Sequence, residues 1–136
     1  MTTEAIAGPK ARIQARRAST ERLLDYADHL DGSDRALLRA VFDRGLTSTD
    51  LARVIGQEPR AVRRRVQRLV ERIGSASFQF VMRNCDGWPS SRRRVGESII
   101  LRGWTQKQAA VQLGLSLHQV RREIERIRAL YEYQLQ

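Results

Sequence analysis

Slid against itself by 58 positions, this chain of 136 residues falls onto its own pattern. Gly45-Leu46-Thr47-Ser48-Thr49-Asp50-Leu51-Ala52-Arg53-Val54-Ile55-Gly56 lies over Gly103-Trp104-Thr105-Gln106-Lys107-Gln108-Ala109-Ala110-Val111-Gln112-Leu113-Gly114. Val62-Arg63-Arg64 then meets Val120-Arg121-Arg122, and Arg68 meets Arg126. Apolar type is kept at Leu37/Val95, Val41/Ile99, Ile55/Leu113, Val66/Ile124 and Leu69/Ile127. Arginine abundance alone would not preserve both glycine positions and the apolar register. A repeat of this length makes each copy one small unit, and the fold must be built from two of them.

Each copy reads as three helices. In the first copy, Ser33–Arg44 has Ser33 as its expected N-cap, Leu37, Leu38, Val41 and Phe42 on one stripe, and Gly45 as its stop. Thr47 with Asp50 three residues on forms a capping box for the second helix, as Thr105 does with Gln108. Gly56 and Gly114 supply the left-handed residue after that helix. Pro59 suits the first position of the third helix, and Ser116 caps its counterpart. Along the third helix Val62, Val66, Leu69 and Ile73 face inward at helical spacing, leaving Arg60, Arg64, Arg65, Arg68 and Arg72 outside. The predicted fold is all-α: two tandem trihelical helix-turn-helix units with an N-terminal helix and an extended C-terminal helix.

The domain reading follows. Residues 1–18 form a basic, flexible arm carrying Lys10, Arg12, Arg16 and Arg17. Residues 19–73 hold the N-terminal helix and the first unit, 74–87 a linker, and 88–136 the second unit. Within the linker, Phe78, Phe80 and Met82 alternate as in a strand, while Phe78, Val81 and Met82 suit a helical turn, so periodicity leaves its conformation open. Trp88 and Trp104 read as caps on the second core. The last helix carries an apolar stripe of Val120, Ile124, Ile127 and Tyr131, longer than one small unit needs. Its end is expected against another surface, either the first unit or a second copy in a homodimer.

Charge decides the partner class. Twenty-five Lys+Arg oppose 15 Asp+Glu, a formal +10, and Pro59–Arg72 alone holds six arginines against Glu71. Such clustering points to a polyanion. A helix fits the major groove of double-stranded DNA, where arginine pairs bidentately with guanine and amides pair with adenine. Thr47 and Thr105, with Lys107 beside the latter, open helices whose free N–H groups favour a phosphate. No Gly-rich phosphate loop, metal-ligand cluster or usable Cys–His pair is present, so the chain reads as no enzyme and needs no cofactor. No apolar run approaches the ~18 residues of a membrane span. The lone Cys85 fits a reducing compartment and a cytoplasmic, nucleoid-associated protein.

Thr105 through Ile124 resembles the helix-turn-helix of sigma-70-type region 4 and of LuxR-type regulators: a Thr-capped helix, Ala, Leu-Gly, a Ser cap, then Val followed by basic residues. The first copy is similar, with Glu58-Pro59 where that family has Ser and a variable residue. The resemblance implies that residues flanking the buried Val contact bases, here His118, Gln119 and Arg122, and Arg60, Ala61 and Arg64. It places Arg63, Arg68, Arg121 and Arg126 at phosphates, and Arg65 lies on the same exposed side. It implies a transcriptional regulator or sigma-factor-like protein that inserts third helices 59–72 and 117–133 into major grooves. The alternative is an adaptor that binds RNA polymerase or a regulator and touches DNA with one unit only.

Overall fold

A computed structural model describes residues 20–135, so the expected basic arm at 1–18 lies outside the described residues. The described chain is all-α, without strands. In chain order, α1 covers 20–27, α2 Gly32–Phe42, α3 Ser48–Ile55, α4 Pro59–Gly74 and α5 Ala76–Asn84. After a short 3-10 turn at Cys85–Gly87 come α6 (Ser90–Val95), a π-helical stretch at Gly96–Leu101, α7 (Gln106–Leu113) and α8 (Leu117–Gln134). No helix among the described residues is long and apolar enough to cross a membrane.

The described residues divide into two compact units, one of 20–28 with 32–67, the other of 29–31 with 68–135. The division therefore falls inside α4. In the first unit the core is built from Ala27, Leu37, Leu38, Leu51, Ala52 and Val62, all buried. Helix α2 begins at Gly32, two residues before the start that a Ser33 cap would set. Ser33 is thus inside the helix and not its cap, and its hydroxyl accepts a hydrogen bond from Arg65 Nη2 at 3.2 Å.

The second unit packs Phe78, Val81, Val95, Leu101 and Val120 fully out of solvent. Phe78 and Val81 lie on α5, within the segment expected as a linker. Ser75 caps α5, its hydroxyl accepting from Phe78 N at 3.3 Å, and one face of the resulting helix enters the core. The long stripe of α8 finds its surface there as well. Tyr131 meets Phe80 edge-on with ring centroids 5.4 Å apart, and Phe80 also lies 5.9 Å from Trp88. Tyr133 and Leu135 stay exposed. Trp104 donates its indole N–H to Asp31 (2.9 Å to Oδ2), with the Arg102 guanidinium 5.5 Å from its ring centre.

Local hydrogen bonds coincide at the 58-residue offset. Leu46 N reaches Ala40 O and Trp104 N reaches Ser98 O, each at 3.0 Å. Gln57 N reaches Ala52 O and Leu115 N reaches Ala110 O, again each at 3.0 Å. Gly56 (φ 70°) and Gly114 (φ 67°) hold the left-handed turn that any Cβ would strain. The capping box at Ser116 is complete: Gln119 N donates to Ser116 Oγ (3.0 Å) and Ser116 N donates to Gln119 Oε1 (2.8 Å). Replacing Ser116 by Ala leaves those groups to water and is expected to cost about 1 kcal/mol. Urea unfolding checks this; an unchanged midpoint would show that the cap adds nothing to the packed helix.

Candidate nucleic-acid interface

Two pairs of helices carry the candidate residues, α3 with α4 and α7 with α8. Thr47 caps α3: its hydroxyl accepts from Asp50 N at 3.1 Å, while Asp50 Oδ2 accepts from Thr47 N at 3.3 Å and from Thr47 Oγ1 at 2.8 Å. These bonds hold the Asp50 carboxyl below its usual range, with the Arg53 charge a smaller contribution. Thr105 caps α7 in the same way, accepting from Gln108 N at 3.1 Å. Both threonines are exposed, and so is Lys107 in the first turn of α7. Each hydroxyl is already engaged with its own helix.

On α4, Val62, Leu69 and Ile73 are buried, so the opposite face turns to solvent. Arg60, Ala61, Arg63, Arg64 and Arg68 are exposed on it. Among the described residues none of these four arginines has an acidic partner. Residues four apart on a helix are neighbours, so Arg60, Arg64 and Arg68 repel along the surface by a few tenths of a kcal/mol per pair. A polyanion laid against this face removes that repulsion. A hollow lined by Glu58, Pro59, Arg60, Ala61, Arg63 and Arg64 marks the start of the helix.

Arg65 is placed differently from its neighbours. Its Nε and Nη2 both donate to Asp34 Oδ1, at 3.2 and 2.8 Å, and Nη2 also donates to Ser33. The guanidinium is thereby committed to clamping α4 onto α2. Helical spacing had grouped Arg65 with the outward arginines because a periodicity cannot show which of them faces an acid across the fold.

Helix α8 offers a more neutralised face. His118, Gln119, Arg121, Arg122 and Arg126 are exposed, around the buried Val120. Gln119 is tied into the capping box by its oxygen, leaving only its amide N–H groups to donate. Arg121 Nε donates to Gln106 Oε1 at 3.3 Å. Arg126 Nη1 donates to Glu123 Oε1 at 2.6 Å, and Glu123 Oε2 accepts from Arg92 Nε at 3.1 Å. Of the basic side chains on this helix, Arg122 is the one near its start that keeps an uncommitted head among the described residues.

A relation that residue identity hides emerges from these pairs. Position 65 overlays 123, and 34 overlays 92. In the first unit the third helix supplies the cation and α2 the anion; in the second unit the third helix supplies the anion and α6 the cation. The same cross-helix bridge is made with reversed polarity. Only an overlay scored for complementary charge would have found it.

Cys85 is buried, and burial followed by the charges of Glu97 and Asp86 pushes its thiol above the usual range. It stays protonated and a poor nucleophile at neutral pH. His29 is exposed.

Residues 30–72 match a family of winged helix-turn-helix DNA-binding domains. The match runs from Leu30 through α2 and α3 to near the end of α4, the segment that carries the unneutralised arginines. The described residues contain no strand to form a wing, and α5 follows α4 after Ser75. No curated protein and no solved structure matches the chain.

Proposed function

We propose that this chain binds double-stranded DNA in a sequence-specific manner and acts in transcription, placing α4 in a major groove. The arginine face of α4 carries this reading: four exposed guanidinium groups with no acidic partner among the described residues share a helix with the buried Val62, inside a helix-turn-helix of DNA-binding type. Arg60 and Arg64 suit guanine edges, and Arg63 and Arg68 suit the phosphates on either side. In the fuller form of this reading α8 enters a second groove with His118, Gln119 and Arg122 at bases. The chain would then be a tandem regulator of sigma-region-4 or LuxR type, acting in the cytoplasm at the nucleoid.

Fluorescence anisotropy against a random duplex pool, followed by sequencing of the bound fraction, tests both forms. Binding is expected to weaken steeply with salt. Arg64→Ala should cost ~1–3 kcal/mol on the selected sequence and little on others, because a lost bidentate base contact removes discrimination. Equal losses on every duplex would reassign Arg64 to a phosphate.

One observation favours a second reading, in which α8 serves a protein partner such as RNA polymerase. Glu123 holds Arg126 and Arg92, so α8 presents less free positive charge than α4. Arg122→Ala separates the two. Relaxed specificity at a second block of bases supports dual docking, and unchanged binding to every duplex supports the adaptor. Self-association through the exposed Tyr133 and Leu135 end of α8 belongs to the same proposal.

A further inference from the structure

The second unit holds a cavity that reading a duplex leaves without a use. About 600 Å³ in volume, it is walled by the end of α4, α5, the π-helical stretch and the C-terminal half of α8. That volume is in the range of small-molecule sites, which typically measure ~300–1,000 Å³.

Its chemistry is two-sided. Ile99, Ile100 and Ile124 line it with branched aliphatic surface, and Phe80 and Tyr131 add aromatic rings. Ile99 and Ile100 are consecutive, and both lie in the π-helical stretch at Gly96–Leu101. Such widened turns are rare and recur at functional sites. Against this apolar lining stand two cations, Arg72 and Arg128, and one anion, Glu132. Arg72 is held in place from behind. Its Nη1 is buried against Gly103, where an added Cβ would fall 2.5 Å from it, and has no hydrogen-bond partner among the described residues. Arg72 therefore gives the cavity a fixed positive charge, and Arg128 gives it the exposed donor.

We propose that this cavity binds an amphipathic organic monoanion, with its carboxylate- or sulfonate-like head at Arg72 and Arg128 and an aromatic or branched aliphatic body over the isoleucines. The surplus of one positive charge on the lining fits a single negative charge and disfavours a multiply charged nucleotide. Burying the body supplies attraction, and the guanidinium pair supplies orientation.

The full chain, without DNA, is titrated with anilinonaphthalene sulfonate and with N-phenylnaphthylamine, which has a similar aromatic body and no charge. The expected result is saturable fluorescence at one sulfonate probe per chain, with the neutral probe weaker. Arg128→Gln is exposed and should weaken the sulfonate about tenfold while leaving the neutral probe unchanged. Ser77→Trp, also at an exposed lining position, should block both probes with the helical circular dichroism intact. A chain lacking the α4 arginines 60, 63, 64 and 68 should still bind the sulfonate. Unsaturable uptake, sulfonate binding untouched by Arg128→Gln or Ser77→Trp, or binding lost with the α4 arginines would each overturn the site. No duplex is present, so failure here leaves the DNA reading as it stands.

Discussion

With Arg60, Arg63, Arg64 and Arg68 all changed to Gln, the chain is expected to hold duplex DNA roughly 30- to 1,000-fold more weakly at about 0.15 M salt. The range follows from counterion release. Each phosphate neutralised multiplies affinity by salt concentration to about the −0.9 power, or roughly 5-fold at about 0.15 M. Two lost phosphate contacts, Arg63 and Arg68, give the lower bound, and loss of all four charges from the DNA surface gives the upper. The slope of log affinity against log salt should flatten by about 2 to 4 over the same change. The matching set on α8, Arg121, Arg122 and Arg126 to Gln, should flatten it less, because Glu123 and Gln106 already engage two of those heads. Arg65→Gln should leave the slope alone and lower the melting temperature instead, since its guanidinium serves Asp34. Anisotropy over a salt series reads all three. An α4 variant that keeps the parent slope would remove that helix from the interface.

Legibility in the sequence tracked how local the deciding physics is. The ends of α3 and α7 could be read because a Thr cap, its partner three residues on and a following Gly act within one or two turns. The structure carries each of these bonds and the positive φ of Gly56 and Gly114. The N-terminus of α8 was set by Ser116 in the same way. The segment 74–87 could not be read so, because three apolar residues at spacing two and three fit a strand and a helical turn equally. Ser75 and the burial of Phe78 and Val81 together decide it, and burial is a tertiary property. The helix-turn-helix type was legible at 30–72, where a family of winged helix-turn-helix domains matches, while the resemblance drawn from Thr105–Ile124 to region 4 concerns a segment outside that match. Caps and turns of a trihelical core are common ground, so they carry the fold further than they carry lineage.

The interface shows the same limit more sharply. Exposure of Arg60, Arg64 and Arg68 was legible from the inward spacing of α4, Arg63 was placed at the surface by the family resemblance alone, and Arg72, expected outside, is half-buried. Whether an outward arginine is free depends on its acidic neighbours, 31 positions away for Arg65 and 3 away for Arg126. Asp34 removes Arg65 from the free set, and Glu123 occupies Arg126 and Arg92. A net charge cannot make that distinction.

Reversing Glu123 to Arg should be the most damaging single change for the stability of the second unit, at about 3–5 kcal/mol. The carboxylate is 12% exposed and its partner Arg92 is 20% exposed, so neither charge can recover full hydration when the bridge is broken. The substitution also places a third cation beside Arg92 and Arg126. Adding Arg92→Glu should restore much of the loss, because positions 34 and 65 in the first unit already sustain the bridge in that polarity, at 2.8 Å. Arg126 would remain without its acid, so recovery should be incomplete. Urea midpoints of the parent, single and double variants measure the coupling, with an unchanged urea dependence confirming two-state unfolding. A double variant no more stable than the single one would mean that packing around Glu123, not charge, fixes the contact. Opposite polarity has a further consequence for a chain with two such units. Were the helix of one unit that supplies residue 34 or 92 to dock on the third helix of the other, Asp34 would face Glu123 and Arg92 would face Arg65. Like charges would then meet at both bridges, so each third helix is matched electrostatically to its own partner.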